Sequence, residues 1–365
     1  MVSGAGAMEK VGIALDQFSW KGKKVLITGH SGFKGSWLCL ALLRKGAIVS
    51  GISLEPEKNS LFSEIKLRNE VDSRYINIQN KQKLIDHMKE MEPEVVFHLA
   101  AQALVRQSYR DPWETYATNV MGTVNMLEGV KALESVRAVI CVTTDKVYQN
   151  KGWAWPYREN DELGGYDPYS ASKAASELII DSYKQAFFSD RKTIISTARA
   201  GNVIGGGDWS EDRLIPDIYR AWCVGKTISI RNPDSVRPWQ HVMEPIYSYI
   251  KLAEFMCEGK VGGQAFNFGP HPGDAITVGE IVSVANGFFG IHSDQDPNTD
   301  QNQLMHESAY LTLDTSKAQR MLHLKPRLSV SEALSWTFSW YKNFSSGSSA
   351  RQLCEHDIRK YEALT

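Results

Sequence analysis

Tyr169 and Lys173 stand four residues apart in Tyr169-Ser170-Ala171-Ser172-Lys173, the spacing that puts two side chains on one helix face, a turn apart. A phenol titrates near ~10, but an ammonium within a few ångströms stabilises the phenolate and draws that value toward neutrality. Such a tyrosine can take a proton from an alcohol. Upstream, Ala138 to Thr144 is an apolar, β-branched run that reads as a buried strand. It delivers Thr144, Asp145 and Lys146 to its carboxyl end, the edge at which open parallel sheets bind ligands. Taken alone, the Tyr/Lys pair also fits an ordinary helix surface, so its weight depends on the elements around it.

Those elements begin with Lys24-Val25-Leu26-Ile27-Thr28, a short strand that stops at glycine. Gly29, Gly32 and Gly35 then follow in GxxGxxG spacing, and Trp37 to Lys45 has helical periodicity closed by Gly46. Strand, glycine turn and helix in that order form a phosphate cradle, because amides at a helix start face outward and glycine lets a pyrophosphate approach. Ala47 to Leu54 is the second strand, where an acid would hold an adenosine ribose. Its end, Ser53-Leu54-Glu55-Pro56, has an acid placed late and no neighbouring arginine to bind a 2′-phosphate, which favours NAD over NADP. Tyr75 to Ile78 with Lys81 to Met91 supplies a further strand and helix, and Pro93 to Ala101 a strand ending in small residues. His98 reads as a hydrogen-bonded structural residue. Asp111 to Leu133 reads as one helix in which Asn119 needs partners if buried.

The loop Gln149 to Asp167, with Trp153, Trp155 and Tyr157, reads either as a cover for the site or as aromatic packing onto the core. Beyond Ala200 polar, glycine-rich loops replace the strand and helix alternation, up to Arg237-Pro238-Trp239-Gln240-His241-Val242. The chain is therefore an α/β protein, a Rossmann-type doubly wound parallel sheet with a smaller C-terminal substrate-binding lobe. The expected division is 21–200 for the dinucleotide domain, with a return to it at about 239–269. Residues 201–345 form the substrate lobe, and 346–365 a tail made of a flexible Ser/Gly joint and a short helix.

Of 365 residues, 41 are Lys or Arg and 42 Asp or Glu, which leaves no field that would attract nucleic acid or an anionic membrane. Cys39, Cys141, Cys223, Cys257 and Cys354 are scattered and never paired as CxxC. They suit buried thiols in a reducing cytoplasm and give no metal site. No apolar run is long enough to span a membrane, and no signal peptide precedes the first strand. Met1 to Met8 is Gly/Ser/Ala-rich and reads either as an added remnant or as a frayed end.

Together, GxxGxxG, the Thr143-Thr144-Asp145 triplet and the Tyr169/Lys173 pair resemble the extended short-chain dehydrogenase/reductases, and within them the nucleotide-sugar 4,6-dehydratases, over about residues 20 to 345. GHSGFKGSWL, NVIGGGDW, DRLIPD and RPWQHV resemble most closely the members that act on CDP-D-glucose. Other members take dTDP-glucose or GDP-mannose. The resemblance implies NAD as cofactor, contacted by Gly29, Gly32, Phe33, Gly35, Asn77, Ile78, Leu99, Ala100, Ala101, Tyr169 and Lys173. It implies that C4 of the hexose is oxidised, water leaves across C5 and C6, and hydride returns to C6, giving a 4-keto-6-deoxy sugar for deoxysugar and lipopolysaccharide O-antigen biosynthesis.

Under that resemblance Tyr169 removes the C4 hydroxyl proton, Lys173 holds it ionised and bonds the nicotinamide ribose, Thr144 stabilises the C4 oxygen, and Asp145 protonates the leaving C6 hydroxyl. Lys146 stands where the family has glutamate as the C5 base. Either a neutral Lys146 takes that proton, or another group does and Lys146 contacts the cofactor. Arg237 is the candidate for the diphosphate, Asn202 for a phosphate or the sugar, and Arg213 or Trp209 for the nucleotide pocket. The resemblance also implies a cytoplasmic homodimer paired through a four-helix bundle built from 111–133 and 169–188, to which Met121, Leu127, Leu178 and Ile179 are candidate contributors. Two other readings share these parts: a nucleotide-sugar 4-epimerase, which needs no acid for C6, and a protein that binds NAD to sense redox state, which needs no proton-transfer groups.

Overall fold

The computed structural model describes residues 18–230, 232–271, 273–290, 293–295 and 311–364, so the Met1–Met8 tract lies outside the described residues. Seven parallel strands build one sheet: β1 (Lys24–Thr28), β2 (Ile48–Ser53), β3 (Asp72–Tyr75), β4 (Val95–His98), β5 (Ala138–Val142), β6 (Ile194–Ala200) and β7 (Ala265–Phe268). Their spatial order is β7-β6-β5-β4-β1-β2-β3, a doubly wound sheet of the Rossmann type. The order reverses between β1 and β4, where Thr28 lies in register with both Ile52 and His98. Loops leaving β1 and β4 diverge to opposite faces at that point and open a crevice at the carboxyl edge. All residues of β4 and β5 are buried, which is why both read as unbroken apolar runs and not as alternating patterns.

Helix α1 (Phe33–Arg44) buries Trp37, Leu38, Leu40 and Leu42 against the sheet. The stretch expected as one helix over 111–133 is interrupted: Pro112–Tyr116 leads through a π-type turn, Ala117–Met121, into Gly122–Lys131. Such a turn inserts one residue into the helical repeat and re-aims side chains. Here it buries Asn119, whose amide nitrogen donates to Gln102 O at 3.0 Å and Ser172 Oγ at 2.9 Å while its oxygen accepts from Gln102 N at 2.8 Å. The loop after β4 is thereby tied to the helix carrying Lys173, which spans Pro168–Phe187.

Among the described residues, three two-stranded ribbons lie outside the main sheet: Val203–Ile204 with Gln240–His241, Val236–Arg237 with Ile276–Thr277, and Ile228–Ile230 with Ser293–Gln295. Trp209, expected near the nucleotide, packs instead on Tyr219, Trp340, Tyr341 and Phe344. Its indole is worth more as buried area in that cluster than at a solvated rim. At the tail the expected short helix is present, and the joint before it, expected to be flexible, is not. Ala350–Glu362 is a docked helix with Cys354, Ile358 and Tyr361 buried, and Tyr361 donates to Glu244 Oε2 at 3.0 Å. The Ser/Gly joint is a tight turn around Gly347, whose φ is 92°. All five cysteines are free, but only Cys39, Cys141 and Cys354 are buried; Cys223 is exposed and Cys257 half-buried. Among the described residues, no cluster of side chains could hold a metal and no helix is long and apolar enough to cross a membrane.

Candidate active site

At the β1–α1 turn the glycines are required by space. Gly29 has φ 75°, and a Cβ there would stand 2.7 Å from Ala100 N; a Cβ on Gly35 would stand 2.1 Å from Gly29 O. Gly32 caps α1 without a side-chain hydrogen bond, so the outward amides of the first turn have no side-chain acceptor of their own. This is the arrangement that accepts a phosphate. Gly35→Ala is expected to cost roughly 1–3 kcal/mol of stability through the forced opening of the turn. Gly262→Ala, whose Cβ would meet nothing within 4 Å, is the control, and equal denaturation midpoints for the two variants would refute the packing argument.

Beside that turn, Thr28 accepts from Leu99 N at 3.0 Å through its carbonyl and from Ala100 N at 3.3 Å through its hydroxyl. His98 is held between Thr28 Oγ1 at 2.7 Å and Thr123 Oγ1 at 3.1 Å. Burial and then the Lys173 charge push it down to about 3, so it is a neutral structural residue, as expected. Asn77 Oδ1 accepts from Gln79 N at 2.9 Å, and the Ile78 carbonyl accepts from Asn125 Nδ2 at 2.9 Å. At the β2 end an arginine does stand by the acid, contrary to the sequence expectation: Arg68, from the segment before β3, is paired with Glu55. The fold brings it there across thirteen residues of chain, and Glu55 already occupies its guanidinium.

A cavity of about 1090 Å³ opens at the carboxyl ends of β5 and β6. It takes in Thr144, Asp145, Lys146 and Tyr169 together with Asn202, Arg213 and Arg237, so the two groups of candidates meet in one cleft. Phe33 lines it from α1. Gly29 packs on the Leu99–Ala100 backbone at the neighbouring β1/β4 edge. Lys173 lies beneath the cleft, 8% exposed, with Nζ donating to Val142 O at 3.3 Å. Burial draws its ammonium down to about 8, opposed by Cys141 and Glu177.

Tyr169 is 8% exposed and its phenol stands beside the Thr144 hydroxyl. Burial pushes it up to about 12, offset in part by Thr144. The sequence argument, that Lys173 alone would bring this phenol toward neutrality, is corrected: desolvation outweighs the pair in the protein by itself. Thr144 Oγ1 donates to Asp145 Oδ1 at 2.8 Å, while Asp145 Oδ2 is buried with no hydrogen-bond partner. An unpartnered buried carboxylate oxygen is costly. It marks a position where a ligand hydroxyl would be bound.

Arg213 is not a free phosphate ligand, since Asp208 holds it at 2.9 Å. Arg237 is buried, and its Nη1 donates to Val236 O at 2.9 Å. Behind the cleft, Arg199 pairs with Glu177 at 2.8 Å, and Glu177 also accepts from Thr143 and Thr197, which braces the strand end that carries Thr144. In the aromatic loop Tyr157 stacks on Tyr148 with centroids 5.2 Å apart and Trp153 lies on Tyr157, which is packing, whereas Trp155 is 72% exposed. Sequence reasoning missed Lys34 and Asp208, both of which line the cleft. Lys34 carried a signal, a charged residue inside a phosphate-binding turn; Asp208 had none beyond its place in a polar loop.

The fold recurs in other proteins along most of the chain. CDP-glucose 4,6-dehydratase of Salmonella typhimurium is 44% identical over 358 residues, covering 96% of this chain and 99% of that protein. The UDP-glucose 4-epimerase of Mycoplasma pneumoniae is 25% identical, covering 88% and 97%. In fold, the crystal structure of dTDP-glucose 4,6-dehydratase from Bacillus anthracis in complex with NAD superposes with a TM-score of 0.74 at 22% identity, over 89% of this chain and 98% of that one. The profile of the GDP-mannose 4,6-dehydratase family matches residues 26–337, and with the Tyr169, Lys173 and Thr144-Asp145 site set on a seven-stranded doubly wound sheet, the chain belongs to that family.

Proposed function

We propose that the chain converts CDP-D-glucose to CDP-4-keto-6-deoxy-D-glucose with loss of water, using NAD, in deoxysugar biosynthesis. The observation that carries the reading is the buried, unpartnered Asp145 Oδ2 two atoms from the Thr144 hydroxyl that contacts Tyr169. An epimerase has no use for an acid at that place; a dehydratase needs one for the C6 hydroxyl. The CDP preference rests on the relative that is 44% identical over nearly the full length.

The β1–α1 turn, with Gly29, Gly32, Phe33 and Gly35, would hold the pyrophosphate, and Asn77, Ile78, Leu99, Ala100 and Ala101 would line the dinucleotide crevice. Bound there, NAD⁺ would supply a reversible hydride acceptor for the C4 and C6 chemistry. Tyr169 would take the C4 hydroxyl proton, with Thr144 bonded to the C4 oxygen as charge develops there and Lys173 holding the phenolate and the nicotinamide ribose. C4 oxidation makes the C5 hydrogen acidic; Asp145 would then give its proton to the departing C6 hydroxyl. Of the groups able to accept the C5 proton, the cleft offers Lys146 beside Asp145. Asn202 and Arg237 would bind the diphosphate, and Arg213 would act as a fixed dipole with Asp208.

Trp113, Tyr116, Met121 and Leu178 are exposed on the helices of 112–131 and 168–187, which supports pairing with a second copy through a four-helix bundle. Leu127, a sequence candidate for that face, is fully buried in the core and Ile179 partly so. Five free thiols support a reducing, cytoplasmic setting. Incubation with CDP-, dTDP-, GDP- and UDP-sugars, with and without added NAD⁺, is expected to yield an alkali-absorbing keto sugar from CDP-glucose alone. A 4-epimer without water loss, or product from another sugar only, would overturn the assignment.

A further inference from the structure

We propose that the side chain of Lys34 sets the preference of the site for the reduced over the oxidised nicotinamide dinucleotide, an inference that rests on the cofactor reading above. Lys34 is the second residue of α1, between Gly32 and Gly35 of the phosphate-binding turn. Its side chain is not spent on structure. It is half-buried, lines the catalytic cleft with Asp145 and Tyr169, and makes no hydrogen bond or ion pair among the described residues. Arg213, the neighbouring cation, is by contrast fixed by Asp208 at 2.9 Å.

The charged groups facing Lys34 come from every element around it: Lys173 from the 168–187 helix, Asp145 from the turn after β5, and Asp208 and Arg213 from the loops after β6. The two cations outrank the two carboxylates, and burial is the dominant influence. It brings the ammonium down to about 7, with Arg213 and Lys173 adding to the fall and the two carboxylates opposing it.

Chemistry fixes which part of the dinucleotide Lys34 meets. When an alcohol becomes a ketone, its O–H proton and C–H hydride leave the same carbon. A ring that receives the hydride must therefore lie within a few ångströms of the phenol that receives the proton. Lys34 shares the cleft with Tyr169 and Asp145, and the Lys173 charge beneath it is close enough to act on its ammonium. Oxidised and reduced dinucleotides have the same pyrophosphate and differ by one positive charge on the ring. A cation in this volume repels the oxidised ring and leaves the reduced ring unaffected. By linkage, the factor by which Lys34 favours the reduced form is the factor by which it pulls the first oxidation forward. Lys34 exchanges no atom or electron in the cycle, in which hydride passes from C4 to the ring and back to C6.

Lys34 carries its charge below about 7 and loses it above, so the discrimination is largest in mild acid. The test uses dinucleotide-free protein and measures dissociation constants for NAD⁺ and NADH by calorimetry at about pH 6 and about pH 8.5, for the parent, Lys34→Met and Lys34→Arg. At the lower pH, Lys34→Met is expected to reduce the ratio of the NAD⁺ to the NADH constant about tenfold, the scale of one charge met across a few ångströms of partly hydrated protein. Lys173, brought by burial to about 8, loses charge over the same window in every variant, so the parent ratio should fall further with pH than that of Lys34→Arg, by the part that belongs to Lys34. Should Lys34→Met fold poorly, a smaller fall in Lys34→Arg than in the parent carries the same conclusion, and equal falls in the two overturn it. An unchanged ratio in Lys34→Met overturns the inference, as does equal weakening of both forms, which would assign Lys34 to the pyrophosphate. A parent that binds neither dinucleotide overturns the cofactor reading and this inference with it.

Discussion

Tyr169→Phe is expected to lower turnover of the nucleotide sugar by about 10²–10⁴-fold, the range for loss of a positioned proton acceptor. The substitution removes one oxygen and keeps the ring that fills the 8%-exposed site. Thr144 retains Asp145 Oδ1 at 2.8 Å as a partner for its proton. Loss of stability should stay near ~1 kcal/mol, the net worth of one hydrogen bond. NAD⁺ affinity should change little, because Lys173 and the glycine turn are untouched. The pH profile adds a second readout. Burial holds the phenol up to about 12, so activity of the parent should climb with pH through the neutral range as the ionised fraction grows, and the residual activity of Tyr169→Phe should lose that slope. Product formation at the parent's rate, with an unchanged slope, would remove Tyr169 from the chemistry.

How much of this site could be read from the sequence depends on the range of the contacts. Tyr169 and Lys173 share a face because of helical spacing, and Gly29, Gly32 and Gly35 stand in a strand–turn–helix unit; both are local facts, and both were legible. Long-range contacts were not. Arg68 meets Glu55 only once β2 and β3 pair, and Trp209 leaves the cleft for an aromatic cluster whose other members come from residues 219 and 340–344. Asn119 stood out as an amide within an apolar helix, but its partners, Gln102 and Ser172, required the π-type turn that sequence periodicity does not reveal. The effect of Lys173 on Tyr169 was overestimated for a related reason. Spacing gives proximity, whereas the balance of desolvation against charge depends on how completely the fold buries both groups.

Asp145→Asn separates the two halves of the reaction and so tests the dehydratase reading at its narrowest point. The variant keeps the shape of the side chain and an oxygen to accept from Thr144, but has no proton to give to the C6 hydroxyl. C4 oxidation needs only Tyr169, Thr144 and Lys173, so it should survive; elimination should slow by about 10²–10⁴-fold. On mixing with CDP-glucose the near-ultraviolet absorbance of reduced dinucleotide should then rise toward stoichiometry with protein and persist, where the parent shows only a small steady-state level. Asp145→Ala is a poorer probe, because it also frees the Thr144 hydroxyl to reorient. A structural role predicts a different pattern: both partial reactions would weaken together and the midpoint of unfolding would fall. If Asp145→Asn released keto sugar at the parent's rate, the acid would have to be another group in the cleft. If it accumulated no reduced dinucleotide and made no product, Asp145 would belong to the oxidation step, and the feature that distinguishes this site from that of an epimerase would be gone.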